Sequence, residues 1–206
     1  PLVPHHGVAE DPCLTFSVGM RAPSSSELIG DWLDEVLLDA DEAIRYHDED
    51  LAVPADPNEI DTAAMNRVVE ALNAIRMNDP DRLGDWFGRF ITTYRAAGEV
   101  IPGGEPRPRI ELEWDLAHGA ALQRHPASRL AWRRRHDDGA SLYCSGRALV
   151  VPVDDAILLA DATVLDGPAW ESLSQDGRDA AYALYQAGHY GLLADDPDED
   201  GEDGDA

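Results

Sequence analysis

The spacing of apolar residues changes character several times along this chain, and each change predicts a different kind of element. Residues Cys13 to Met20 alternate apolar and polar side chains, the two-residue period of a half-buried strand. A tight Pro4-His5-His6-Gly7 turn precedes that strand, and Arg21-Ala22-Pro23 ends it. Ser24-Ser25-Ser26-Glu27 then spells a capping box, in which the serine hydroxyl takes the Glu27 amide and the glutamate reaches back. Behind it Leu28, Ile29, Trp32, Leu33, Val36 and Leu37 recur at helical spacing, with acids between them. The acidic stretch from Asp41 to Leu51 has no period and reads as a loop. A second helix is expected from Asp56-Pro57, with the stripe Ile60, Ala64, Val68, Leu72 and Ile75. A third opens in the same way at Asp79-Pro80, carries Leu83, Trp86, Phe87, Phe90, Ile91 and Tyr94, and stops at Gly98. Its aromatic face is wider than a three-helix core requires, which suits either a second copy of the chain or ordinary packing.

Residues 101–108 hold three prolines and two glycines and form a linker by composition. Beyond it the pattern is mixed. Leu112 to Leu122 reads as a short helix and Arg129 to Arg134 as a strand. Ser141–Cys144 and Arg147–Val151 read as two strands joined by a Ser145-Gly146 hairpin turn. Helices follow over Asp154–Ala162, Pro168–Leu173 and Asp176–Ala187, the last capped by Gly188. Short helices around one hairpin suggest a winged-helix module. The pattern therefore predicts an α+β chain: terminal strands over 1–22, a helical block over 23–100, a linker over 101–110, a winged-helix unit over 111–194 and an acidic tail over 195–206.

Charge narrows the choice of partners. The formal charge is −25, of which eight units sit in the tail, so −17 remains on the body. Such a body repels a phosphate backbone, and no direct DNA binding is expected. The acidity suits a basic protein partner, or a salt-rich cytoplasm in which surface carboxylates maintain solubility. No apolar run is long enough to span a bilayer, so no membrane contact is expected. Cys13 and Cys144 form neither a metal pair nor a disulfide framework, in keeping with a reducing cytoplasm.

The chemistry rests on few residues. A histidine offered at a turn beside strands is where barrel-type metalloenzymes place a ligand, which directs attention to His5, with His6 as its neighbouring rival. His136-Asp137-Asp138 and His47-Asp48-Glu49 also have metal-like spelling, but in polar loop contexts. Arg129, Arg133, Arg134 and Arg135 cluster beside the hairpin, where pairing with neighbouring acids is expected over phosphate binding. There is no nucleophile–base constellation and no glycine-rich phosphate loop, so no catalytic side chain is assigned.

The opening segment, Pro4-His5-His6-Gly7 followed by Phe16-Ser17-Val18-Gly19-Met20-Arg21-Ala22-Pro23, resembles the distal-histidine segment of the JmjC-type ribosomal oxygenases. The likeness continues through Glu27-Leu28-Ile29, Tyr46-His47-Asp48-Glu49-Asp50-Leu51 and Trp86-Phe87-Gly88-Arg89-Phe90-Ile91. It is nearest to the bacterial arginine hydroxylases of a large-subunit ribosomal protein. The resemblance implies the last strands of a double-stranded β-helix (JmjC/cupin) barrel, then a helical dimerisation block, then a winged helix. It implies Fe(II) and 2-oxoglutarate as cofactor and cosubstrate, a ribosomal-protein substrate, a homodimer and a cytoplasmic location. On it His5 is the distal metal ligand, the last member of a facial triad. The His-x-Asp pair of that triad is expected upstream of residue 1, so the chain by itself is expected to be inactive. Thr15 and Ser17, on one face of the strand, are candidates to touch 2-oxoglutarate, although the family pattern leads one to expect Asn at position 15. A reading of another class stands beside it: a non-catalytic helical dimerisation and winged-helix module.

Overall fold

The structure is a computed structural model describing residues 22–193, apart from 42, 44, 47–55, 57, 75–78, 97 and 99. The segments expected as terminal strands and acidic tail, Cys13 and the His47-Asp48-Glu49 segment all lie outside the described residues.

Helix α1 spans Ser25–Leu38 and begins with the expected capping box, Ser24 and Glu27 exchanging both hydrogen bonds. The same contacts, the Ser24 amide first, hold the Glu27 carboxyl down to about 2. Helix α2 spans Thr62–Asn73 and is capped by Asp61, whose carboxylate accepts from the Ala64 amide at 2.7 Å. It therefore starts later than the Asp56-Pro57 signal suggests. Asp56 instead accepts from the Asn58 amide in a separate turn. Helix α3 spans Pro80–Thr93, with Asp79 as cap and Pro80 at the first position, as its sequence predicts. It ends before Gly98, because Tyr94 leaves helical geometry and Arg95 turns to a φ of 49°.

Past the linker, α4 covers Arg109–Ala117. The helix expected to run on to Leu122 is cut short at Gly119, whose φ of 100° suits a residue without a Cβ. Leu122–Arg124 is instead strand β1. Strands β2 (Leu130–Arg134), β3 (Gly139–Cys144) and β4 (Arg147–Pro152) make an antiparallel sheet in that order. Cys144 pairs with Arg147 across the hairpin, and Ser145 and Gly146 both take positive φ, the type I′ geometry matched to strand twist. Helices α5 (Val153–Asp161), α6 (Gly167–Ser172) and α7 (Gln175–Gln186) alternate with two short strands, β5 (Val164–Leu165) and β6 (Tyr190–Leu192). Those strands flank β1 in a second sheet, ordered β5-β1-β6.

The main core gathers Leu112 and Leu116 from α4, Leu142 and Cys144 from β3, Leu159 from α5, Trp170 from α6, Leu184 from α7 and Tyr190 from β6. Strand β3 is buried on both faces. Leu142 and Cys144 point into this core, while Ser141 and Tyr143 face α3. Helix α3, expected to close a helical block, thus lies along the wing sheet with its other side on α1. There Trp86 packs on Trp32, ring centroids 5.2 Å apart, and donates its indole N–H to Asp31 at 2.7 Å. No helix among the described residues is long and apolar enough to cross a membrane.

The approach of α3 to β3 depends on Gly88, where a Cβ would overlap the Tyr143 ring. Gly88→Ala is expected to destabilise the fold by about 1–3 kcal/mol in urea unfolding. Gly30→Ala on α1, with open space around its Cβ, is expected to be neutral or stabilising by up to about 1 kcal/mol. Equal stability of the two variants would show that α3 does not pack as described.

Candidate functional site

The three residues assigned from sequence, His5, Thr15 and Ser17, lie outside the described residues. The described residues hold no group of three or more His, Cys, Asp or Glu side chains able to bind a metal ion. His136 illustrates why its spelling misleads. Its Nε2 lies 3.3 Å from Asp81 alone, its side chain is largely exposed, and the adjacent Asp137 is paired with Arg135 at 3.2 Å. An iron site does not fit here.

Among what the described residues build are three contact regions anchored on α3. The first is the ion-pair cluster where the start of α3 meets the loop between β2 and β3. Arg133 donates to Asp81 at 2.7 Å and approaches Asp85 at 3.9 Å. Asp85 also accepts from the Tyr143 hydroxyl at 2.5 Å and from Ser141 at 3.4 Å. The Arg133 bond holds the Asp81 carboxyl below its ordinary value, as Arg135 does for Asp137. Arg129 donates to the Tyr94 and Arg95 carbonyls, and the Arg134 guanidinium lies over the Trp132 ring. The arginines beside the hairpin are thus engaged with neighbouring groups of the chain itself.

The second region is an apolar groove of about 500 Å³ between α1 and α3, lined by Leu28, Ile29, Trp32, Leu83, Trp86 and Phe87. Part of the wide aromatic face of α3 is therefore internal, since Trp86 is buried, while Phe87 remains 43% exposed. Ile29, Leu33 and Leu37 of α1 continue the exposed apolar surface, and α2 buries none of its residues.

The third region is a cavity of about 920 Å³ between the ends of α3 and α7 and the β3–β4 turn. Thr92, Ser145, Arg147 and His189 line it. His189 is buried, and its Nδ1 lies 2.9 Å from the Ser128 hydroxyl. Burial first, then the positive charge of Arg147, lowers its pKa below the ordinary 6.5. No sequence signal marks this histidine. It became visible only when the turn after α7 brought it against Ser128.

The hairpin sheet with its wing turn, flanked by short helices, defines a winged-helix protein. The family model of the ROXA-like winged helix matches residues 74–191, and the chain belongs to that family. That match takes in α3 and the linker as well as the wing. The chain is also 32% identical over 124 residues to the ribosomal protein uL16 3-hydroxylase of Escherichia coli (strain K12), covering 60% of this chain and 33% of that protein. An X-ray structure of E. coli YcfD superposes with a TM-score of 0.66 at 25% identity, covering 84% of this chain and 46% of the other. The E. coli ribosomal oxygenase YcfD in complex with cobalt and 2-oxoglutarate gives a TM-score of 0.61 at 25% identity, covering 84% and 47%. This chain therefore spans about a third of the length of its curated relative and about half that of the solved ones.

The buried histidine makes a testable mark on stability. A depressed folded pKa means that the unfolded chain takes up the proton first as pH falls. Stability should therefore decline as pH drops below 6.5, before most carboxylates titrate. His189→Gln should flatten that decline in denaturant titrations at successive pH values. An unchanged slope in the variant would assign the pH dependence to other groups.

Proposed function

We propose that this chain is the C-terminal part of an Fe(II)- and 2-oxoglutarate-dependent hydroxylase acting on a large-subunit ribosomal protein. The observation that carries the reading is the common fold with a ribosomal oxygenase over 84% of the chain, joined to the sequence relationship with a uL16 3-hydroxylase. The relative's complex with cobalt and 2-oxoglutarate supports iron and 2-oxoglutarate as the groups the intact protein would bind. Bound together with O2, they supply the oxidant for hydroxylating a β-carbon, that of an arginine side chain in this reading, and release succinate and CO2. His5 is the distal ligand in this proposal, with Thr15 and Ser17 near the cosubstrate, and two further ligands come from residues outside the 206 given. The described residues hold no part of that site. In this reading their role is to carry the dimer contact and the winged helix.

The acidic body suits a basic ribosomal protein by long-range attraction, which favours encounter more than affinity. Incubating this chain with iron, 2-oxoglutarate and a ribosomal-protein peptide should release succinate no faster than buffer. The protein extended upstream through a His-x-Asp strand should turn over, and lose turnover when His5→Ala is introduced. Turnover by the chain alone would overturn the assignment of ligands. An extended protein that binds neither iron nor 2-oxoglutarate would leave the non-catalytic dimerisation and winged-helix module as the function.

The exposed apolar surface of α1 and α3 is proposed as the homodimer contact. Light scattering should give a dimer for the wild-type chain and a monomer for Phe87→Glu, which puts a charge on the half-exposed rim of the groove without entering a core. A wild-type monomer at working concentrations would sink the contact.

A further inference from the structure

A different surface carries a proposal of its own. Helix α4 buries Leu112 and Leu116 on one side, and on the opposite side it exposes Ile110, Trp114 and His118 as an i, i+4, i+8 stripe. Trp114 is 62% exposed and Ile110 78% exposed, although α4 is otherwise an ordinary half-buried helix. Single exposed apolar side chains are ordinary on a protein surface, but here two of them and an imidazole line up along one helix face as a contiguous stripe. The indole also has a ring partner on one face. The His118 ring stacks on one face of it at 3.9 Å between centroids, and His118 Nδ1 donates to the Trp114 carbonyl at 2.7 Å. The ring pair is thus pre-organised, with the indole standing out from the helix.

The surroundings specify the chemistry of the occupant. Glu111 and Glu113 flank the stripe on its two sides, followed by Asp115. Glu113 is paired with Arg109, which also binds Asp179, and Asp115 is paired with Arg107. Four carboxylates against two guanidinium groups leave this patch at −2, on a chain of net charge −25. An anionic or strongly acidic partner is repelled by such a rim. A cation over a tryptophan ring, bordered by carboxylates, is attracted both by the ring quadrupole and by the charge.

We propose that the Ile110–Trp114–His118 stripe of α4 is a docking surface for a basic polypeptide segment. An arginine or lysine of that segment lies against the Trp114 indole, beside the Glu111 carboxylate, and an aliphatic neighbour covers Ile110. The ring is a fixed anchor of the kind that dominates small interfaces, and its rigidity limits the entropy lost on binding. The inference stands on this surface alone and does not require the hydroxylase reading. A ribosomal protein is one partner that satisfies it.

The test is anisotropy of a short fluorescein-labelled peptide alternating arginine and leucine, titrated with the full chain at physiological salt. Binding is expected, and Trp114→Ala should weaken it by roughly threefold or more, with Trp114→Phe retaining most of it. Glu111→Gln should weaken it by about twofold, whereas Glu70→Gln, which removes an exposed carboxylate on α2, should leave it unchanged. Unaltered thermal unfolding curves would confirm that the exposed substitutions leave the fold intact. Equal affinity in Trp114→Ala and wild type would reduce the attraction to overall charge and overturn the proposal. So would binding of the matching glutamate–leucine peptide, or a fall in oligomeric mass on Trp114→Ala, which would make the face a contact between copies. Because succinate release is not the readout, failure here leaves the proposed hydroxylase function untouched.

Discussion

The contact on which this structure depends is the close approach of α3 to strand β3. Gly88 presents bare backbone, and the Tyr143 ring fills the space a side chain would occupy. The same tyrosine donates to Asp85, one helical turn earlier, so the apolar contact and the polar one fix both the distance and the rotation of the helix. At the far end Thr92 accepts from the Gly146 amide of the hairpin turn, which ties the C-terminal end of α3 to the wing. Helix α1 is then mounted on the outer side of α3 through Trp32 and Trp86. Arg89–Glu35 at 2.6 Å and Arg82–Asp39 at 2.9 Å flank that stack. The groove between α1 and α3 follows from that mounting, and the cavity at His189 from the tie between α3 and the wing.

Electrostatics shape the rest. All 16 basic residues are arginine, against 41 acids, and the structure uses them sparingly. Helices α1, α3, α5 and α6 carry no basic residue in their last turns, where one would complement the dipole. Arginines from elsewhere take that place. Arg82 donates to the Glu35 carbonyl, Arg129 to Tyr94, Arg124 to Ala160, and Arg178 to Trp170 and Glu171. The planar guanidinium fork can hold a carbonyl and a carboxylate together, as Arg82 does with Glu35 and Asp39, which an ammonium does less well. Exposed pairs of this kind contribute little singly, yet here each one bridges two elements. The cost is that few arginines are left for a polyanion.

Much of the fold was legible because local chemistry marked it. The Ser24–Glu27 box, the Asp79-Pro80 start and the Ser145-Gly146 turn each act within a few residues and form as their sequences suggest. Strands β1, β5 and β6 were not legible, since two or three residues cannot display a period. Leu122 even fits the spacing of α4, and only the positive φ at Gly119 separates them. The ROXA-like relationship bears out the family resemblance, which was carried by short motifs around Pro4-His5-His6-Gly7 and Trp86-Phe87-Gly88 rather than by period or charge.

By itself the sequence determined the starts of α1 and α3, the hairpin, the acidic character and the family, because caps, turn residues, charge and motifs are local properties of the chain. It could not determine the fate of its tryptophans. Trp32, Trp86 and Trp114 each sit on an amphipathic helix with acids nearby, and nothing local distinguishes them. Only tertiary packing did so: α1 and α3 close on Trp32 and Trp86, whereas α4 turns Leu112 and Leu116 inward and leaves Trp114 in solvent. Burial depends on what a side chain meets from distant parts of the chain, and that is settled only when the elements pack.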